Sequence, residues 1–214
     1  MGHRYSEIAC TDAVKALQQW MGSRATCAKR ESGPNVNERF GPDEEVFIAS
    51  RANFYIASVS ATGWPYLQFR CGAPRFLRVL NEHTLGYADF RGNKQYITTG
   101  NVRGNDSVSL FLMDYAHREC LKILCRMAVT DAKDDPELAS QLTIKSYNAQ
   151  VERGVRITIA TFEWNCAQHI TPRFTQAELI EALAPTRNEL AALRAENDKL
   201  KRQLDGPRQI EARS

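Results

Sequence analysis

The chain of 214 residues is long for one hydrophobic core and short for two domains of ordinary size. With 43% hydrophobic and 25% charged residues it is neither a disordered nor a collagen-like chain. No run approaches the roughly 20 apolar residues of a membrane span, and the opening Met1-Gly2-His3-Arg4-Tyr5-Ser6-Glu7 lacks the apolar stretch of a signal peptide, so a cytoplasmic protein is expected. The formal charge of +3 is spread along the chain rather than gathered into one basic tract, and nucleic-acid binding is not signalled.

Three regions follow from the patterning: a helical N-terminal extension over 1–44, a β-rich core over 45–174 and a helical tail over 175–214. Thr11 to Met21 carries Val14, Leu17 and Met21 on one helical face, with Thr11 or Asp12 as the cap. Ala25 to Phe40, which contains Ser32-Gly33-Pro34-Asn35, is expected to be a loop. Asp43-Glu44-Glu45 behind Pro42 places acids in the first turn of a short helix running to about Arg51.

The β-region then opens with a hairpin, Phe54–Ser60 and Trp64–Arg70 around Ala61-Thr62-Gly63. Leu77–Leu80 and Thr84–Ala88 repeat that pattern around Asn81-Glu82-His83. A helix over Asn93–Asn101 and a strand over Val108–Met113 come next. Leu121, Ile123, Cys125, Met127 and Val129 alternate with Lys122, Arg126 and Thr130, the period of a half-buried strand. Asp135-Pro136-Glu137 opens a helix ending near Ser146. The last strand, Arg156–Trp164, changes phase between Ile159 and Phe162, which predicts a bulge near Thr161. At least six strands in mostly antiparallel order, with few short helices, point to a mainly β fold, a closed or nearly closed barrel with peripheral helices.

Six cysteines occur without a Cys-x-x-Cys pair or regular spacing, so reduced structural thiols are expected. Cys166-x-x-His169 is at most half of a metal site and lacks a second ligand pair, so no metal is expected. The richest stretch chemically is Tyr87-Ala88-Asp89-Phe90-Arg91-Gly92-Asn93-Lys94, where a strand ends, a glycine bends the chain and a helix is expected to start. Free backbone N–H groups and two cations converging at a helix N-terminus bind an anion. Lys94 would act there as a point charge and Arg91 as a planar fork, with Asn93 as cap or phosphate donor, while a solvated turn has the same spacing. Gln68 and Arg70 share one face of their strand by i, i+2 spacing, either facing that anion or forming the outside of the hairpin.

Taken in order, Phe54–Val59, Gly63–Arg70, Tyr87–Lys94 and Asn105–Phe111 resemble the split-barrel flavoproteins related to pyridoxamine 5′-phosphate oxidase. The resemblance covers 45–174 and is most specific at Trp164-Asn165-Cys166-Ala167-Gln168-His169-Ile170-Thr171-Pro172-Arg173-Phe174, which is similar to a segment in a bacterial branch of that family. It implies a homodimeric six-stranded barrel with one FMN in each of two clefts between subunits. The family's Tyr-Thr-Asn and Ser-Arg-Lys runs match Tyr87-Ala88-Asp89 and Gly92-Asn93-Lys94, and its arginine after the Gly-x-Pro turn matches Gln68. The resemblance thus implies that Lys94 holds the FMN phosphate, with Arg70 or Arg91 replacing the charge lost at Asn93. It also implies that Trp164 packs on the isoalloxazine edge, where Gln168 or His169 hydrogen-bonds its polar atoms. Where the true oxidases bind their substrate's phosphate, this chain reads Asp134-Asp135-Pro136-Glu137-Leu138-Ala139-Ser140-Gln141, whose acids repel a phosphate, so pyridoxamine 5′-phosphate is not the expected substrate.

The expected function is that of an FMN-dependent oxidoreductase with an unassigned small-molecule substrate and electron donor. The alternative is a non-catalytic flavin- or haem-binding module. His83 and His117 sit in a turn and at a strand end, where solvent exposure is expected rather than acid–base work. In the tail, Leu183, Leu190, Asn197 and Leu204 at heptad position a put Leu193 and Leu200 at d. This register describes a short parallel coiled coil in which Glu189 meets the second chain's Arg194 and Glu196 its Lys201, the alternative being a single amphipathic helix lying on the barrel; Pro185 and Thr186 weaken the first heptad.

Overall fold

The computed structural model describes residues 3–34, 36–144, 147, 149–165 and 168–204. They form two compact units, Met1–Thr171 and Pro172–Ser214. Among the described residues no helix is long and apolar enough to cross a membrane.

The first unit opens with three short helices, α1 (His3–Ala9), α2 (Asp12–Trp20) and α3 (Arg24–Glu31). Thr11 caps α2 by accepting the Val14 N–H, and the expected apolar face of Val14, Leu17 and Met21 is exposed. Residues 25–31, expected in a loop, belong to α3. Its ends are tied by the Arg24–Glu31 ion pair, and the Glu31 carbonyl is bonded to His3 of α1. The Ser32-Gly33 break lies after this helix rather than within it, because Ala25 and Ala28 favour helix and α1 packs against its side. Helix α4 (Pro42–Ser50) has its expected acidic first turn, with Glu44 accepting the Gly41 N–H and Phe47 and Ile48 buried.

Seven strands follow: β1 (Asn53–Val59), β2 (Pro65–Cys71), β3 (Arg78–Asn81), β4 (Thr84–Phe90), β5 (Ser107–Asp114), β6 (Glu119–Asp131) and β7 (Val151–Asn165). They make one sheet of order β2-β1-β5-β6-β7-β4-β3 with every neighbouring pair antiparallel. Among the described residues the strand count is thus seven where the resemblance implies six. Gly63 turns the first hairpin at φ +83°, in the left-handed region that a side chain disfavours. Three strands separate β1 from β4 in the sheet, yet Phe54 of β1 meets Tyr87 of β4 edge-on at 5.4 Å and stacks on Phe76 at 5.5 Å. The sheet therefore rolls round one interior, filled by the inward residues Ile56, Leu110, Leu112, Ile123, Val155 and Ile157.

Two helices sit between strands, α5 (Ile97–Gly104) and α6 (Pro136–Leu142). Helix α5 begins four residues later than expected from sequence. Lys94 and Tyr96 take left-handed backbone angles, φ 60° and 53°, and hold the segment before it out of helix. Helix α6 ends at Leu142; Ser146, its expected end, lies outside the described residues. Leu138 and Leu142 of α6 pack on Ala88 as a second small core. The close approach needs a bare backbone beneath, since a Cβ on Gly154 would lie 2.6 Å from Leu138. Strand β7 begins at Val151 rather than Arg156, and its bulge falls as expected: Leu124 pairs with Thr161 but Cys125 with Ile159, leaving Ala160 as the extra residue.

The described residues of the second unit hold one helix, α7 (Gln176–Leu204), of 29 residues with Pro185 inside it. Thr175 and Glu178 cap its start reciprocally, Glu178 accepting the Thr175 N–H at 2.7 Å and Thr175 Oγ1 accepting the Glu178 N–H at 3.3 Å.

Candidate functional site

At one end of the barrel interior, charged residues continue the inward phase of their strands. On β4 the inward series Leu85, Tyr87 ends in Asp89, which is 4% exposed. Directly opposite it in register on β7 is Arg153, in phase with Val155 and Ile157. Asp89 Oδ1 accepts from Arg70 Nη1 at 2.8 Å, and Oδ2 accepts from Arg153 Nε at 2.8 Å. One buried carboxylate thereby orients two guanidiniums, from β2 and β7, that the sheet order keeps apart. Arg153 also donates to Glu152 at 3.0 Å and lies 4.6 Å over the Tyr96 ring. Beneath them the Tyr87 hydroxyl is fully buried without a hydrogen-bond partner, and burial pushes its pKa well above the usual tyrosine value.

Above this cluster is a cleft of about 40 Å³ lined by Gln68, Arg70, Asp89, Lys94 and Arg153 together with the first turn of α5. Its walls carry three cations against one carboxylate, a net charge of +2. Ile97 and Thr99 bring the N-terminus of α5 to it, where first-turn N–H groups have no intrahelical acceptor and the helix dipole favours an anion. The buried Nε of Arg70 has no partner. Gln68 accepts from Thr98 Oγ1 at 2.7 Å and so fastens β2 to that helix start. Chemically the arrangement can hold an anion, since it combines two oriented forked donors, one flexible point charge and a helix N-terminus.

Of the residues expected from sequence, Gln68, Arg70, Asp89, Gly92, Asn93 and Lys94 line the cleft. Tyr87 is in the barrel core and Ala88 lies under α6. Arg91 does not line it, donating to Gln150 at 3.1 Å and pairing with Glu152 at 3.8 Å, so the guanidiniums of the cleft are those of Arg70 and Arg153. Arg153 is not among the residues expected from sequence, since the expected strand begins at Arg156; its phase with Val155 and Ile157 is the signal that finds it. Trp164 borders a different cleft of about 700 Å³, donating from Nε1 to Glu44 at 2.8 Å and meeting Phe47 edge-on at 4.7 Å. Gln168 and His169 lie exposed in the turn after β7, and Cys166 is outside the described residues.

The 700 Å³ cleft also holds a linked trio. Asp114, 4% exposed, bridges Arg51 at 2.6 Å and His117 at 3.0 Å. Its hydrogen bond to Asp114 raises the His117 pKa above the ordinary 6.5. Burial works against the Asp114 charge, but hydrogen bonds from His117 and the charge of Arg51 outweigh it and hold its pKa below 3.8. The stabilisation from protonated His117 is therefore complete below about pH 6.5 and is lost as pH rises through the higher folded value. An NMR titration should place the His117 midpoint above 6.5 and return it there in Asp114→Asn; an unshifted wild-type midpoint would remove the bridge.

No protein-family model matches the chain, and no curated protein matches it. Similar solved structures include HupZ of Group A Streptococcus, at 14% identity over 63% of this chain and 100% of that one, with a TM-score of 0.48. Another is a protein of Clostridium acetobutylicum related to general stress protein 26, of the pyridoxinephosphate oxidase family, at 9% identity, 64% and 94% coverage and a TM-score of 0.44. A third is an FMN-binding protein of Syntrophomonas wolfei, at 12% identity, 71% and 97% coverage and a TM-score of 0.43. Solved structures similar to this chain thus include pyridoxamine 5′-phosphate oxidase-like and FMN-binding proteins, at low sequence identity.

Proposed function

We propose that the protein is an FMN-binding flavoprotein of the pyridoxamine 5′-phosphate oxidase-like split-barrel class, a cytoplasmic homodimeric oxidoreductase acting on a substrate other than pyridoxamine 5′-phosphate. The observation that carries this reading is the net +2 cleft between β2, β4, β7 and the start of α5, which complements a phosphate dianion. Its volume suits a phosphate and not a tricyclic ring. Bound FMN would supply the hydride and electron transfer. Lys94, Arg70 and Arg153 would hold the phosphate, with Asp89 keeping both guanidiniums aimed and Gln68 fixing β2 to α5.

The homodimer is favoured by the other side of β2. Leu67 and Phe69, which alternate with Gln68 and Arg70, are 64% and 51% exposed, and Trp64 before them is 75% exposed. A second copy is the natural cover for such a face. Trp164, Gln168 and His169 lie apart from the cleft of their own chain, so their reading as ring contacts requires the cleft of the other copy in that dimer.

The test is a visible spectrum of the purified protein followed by titration with FMN. Bound flavin, or its uptake, is expected; neither bound flavin nor uptake would overturn the reading. Turnover with a nicotinamide donor and an acceptor assigns the oxidoreductase, whereas tight flavin without turnover assigns the non-catalytic module.

A further inference from the structure

From the surface of α7 we infer that it is a parallel, in-register two-stranded coiled coil with a second copy of this chain, an association that does not depend on the flavin reading. No described residue of α7 is buried, although Leu183, Leu190, Leu193 and Leu200 recur along it and are each about half-exposed. The spacings between them, seven, three and seven residues, keep one seam in line on a helix wound at 3.5 residues per turn. With Leu183, Leu190, Asn197 and Leu204 at a, Leu179, Leu193 and Leu200 fall at d, and every d position except Thr186 is apolar.

Charge decides both the occupant and its direction. In a parallel pair each g residue faces the e residue five positions on in the other strand, which sets Glu189 against Arg194 and Glu196 against Lys201, attractive twice on each side of the seam. In an antiparallel pair g faces g and e faces e, which would set the glutamates against each other and gather Arg187, Arg194 and Lys201 together. Asn197 points the same way. In a parallel, in-register pair two Asn197 side chains meet and hydrogen-bond across the axis; in any other arrangement each faces a leucine and is left unpaired. Three heptads are few, and Pro185 removes a helix hydrogen bond from the first, so the contact is concentrated between Leu190 and Leu204. Such a zipper gains strongly when the two chains are held together elsewhere.

The test is oxidative cross-linking of the full chain carrying Asn197→Cys, read on non-reducing gels beside the unmodified chain, whose Cys71 is exposed. Ala195→Cys, at an outward f position, is the geometric control. Most of the Asn197→Cys protein is expected as a disulfide-linked dimer, with Ala195→Cys no higher than background. Adding Leu193→Lys should return Asn197→Cys to background. Glu189→Lys with Glu196→Lys should lower the cross-linked fraction several-fold, and Arg194→Glu with Lys201→Glu should restore it. An Asn197→Cys yield no better than that of Ala195→Cys would overturn the proposal, whether because the helices run antiparallel or because α7 packs on something else.

Discussion

Asp89→Ala should be among the most destabilising single substitutions in the barrel, costing about 3 to 5 kcal/mol. The reason is asymmetric. Asp89 is 4% exposed, and its partners Arg70 and Arg153 have side chains only 19% and 13% exposed. Removing the carboxylate leaves two guanidiniums in a poorly solvated place with their hydrogen bonds unmade, with only Glu152 still bonded to Arg153. In a unit of this size that corresponds to a fall in Tm on the order of 10 °C. Asp89→Asn keeps the shape and one acceptor, so it should fall between wild type and alanine. Thermal unfolding followed by circular dichroism measures both, and an alanine variant melting with wild type would mean that the two arginines find other partners or water. The same substitution raises the formal charge of the cleft while disordering its forks. Phosphate affinity is therefore expected to drop despite the added positive charge, which separates orientation from charge count.

The strands with clean alternation were legible in the sequence, because period-two burial is a local pattern: β5 and β6 alternate, and even the bulge beside Thr161 showed as a phase slip. What was not legible depends on distant contacts. Ile97-Thr98-Thr99 is a β-branched run with weak helix propensity. Helix α5 forms there because Thr98 is buried against Gln68, and Asn101 donates to Ser58 at 3.0 Å. The left-handed angles at Lys94 and Tyr96 belong to side chains that give no sequence warning of them. Strand β7 starts earlier than its apolar pattern indicates because Glu152, Arg153 and Gly154 interrupt that pattern, each for a separate cause: Glu152 accepts from Tyr96 and Arg153, Arg153 meets Asp89, and Gly154 makes room for Leu138. The site was accordingly half readable. Lys94 and Arg70 were reached through local motif and strand phase, whereas Arg153, sixty-four residues beyond Asp89, becomes visible only once β4 and β7 are paired.

Lys94→Ala and Arg153→Ala should both weaken FMN binding, and for different reasons. Each would remove the charge-assisted hydrogen bond to phosphate proposed for it, worth about 1.5 to 3 kcal/mol, or roughly 10- to 150-fold in Kd. Lys94 is exposed and has a flexible stem, so its share is largely Coulombic, and the gap between wild type and Lys94→Ala should shrink as salt is raised. Arg153 is mostly buried and held in place by Asp89 and Glu152. Its alanine variant should lose affinity with little salt dependence and should also melt lower, because Asp89 then keeps a single partner. Arg153→Lys retains the charge but not the planar fork, so it should recover only part of the affinity. Fluorescence titration with FMN at two ionic strengths, with melting curves on the same samples, reads all three variants. Full FMN affinity in Lys94→Ala at low salt would show that the phosphate does not sit at this cleft. Equal salt dependence in the two alanine variants would show that Arg153 acts only as a remote charge and not as an oriented donor.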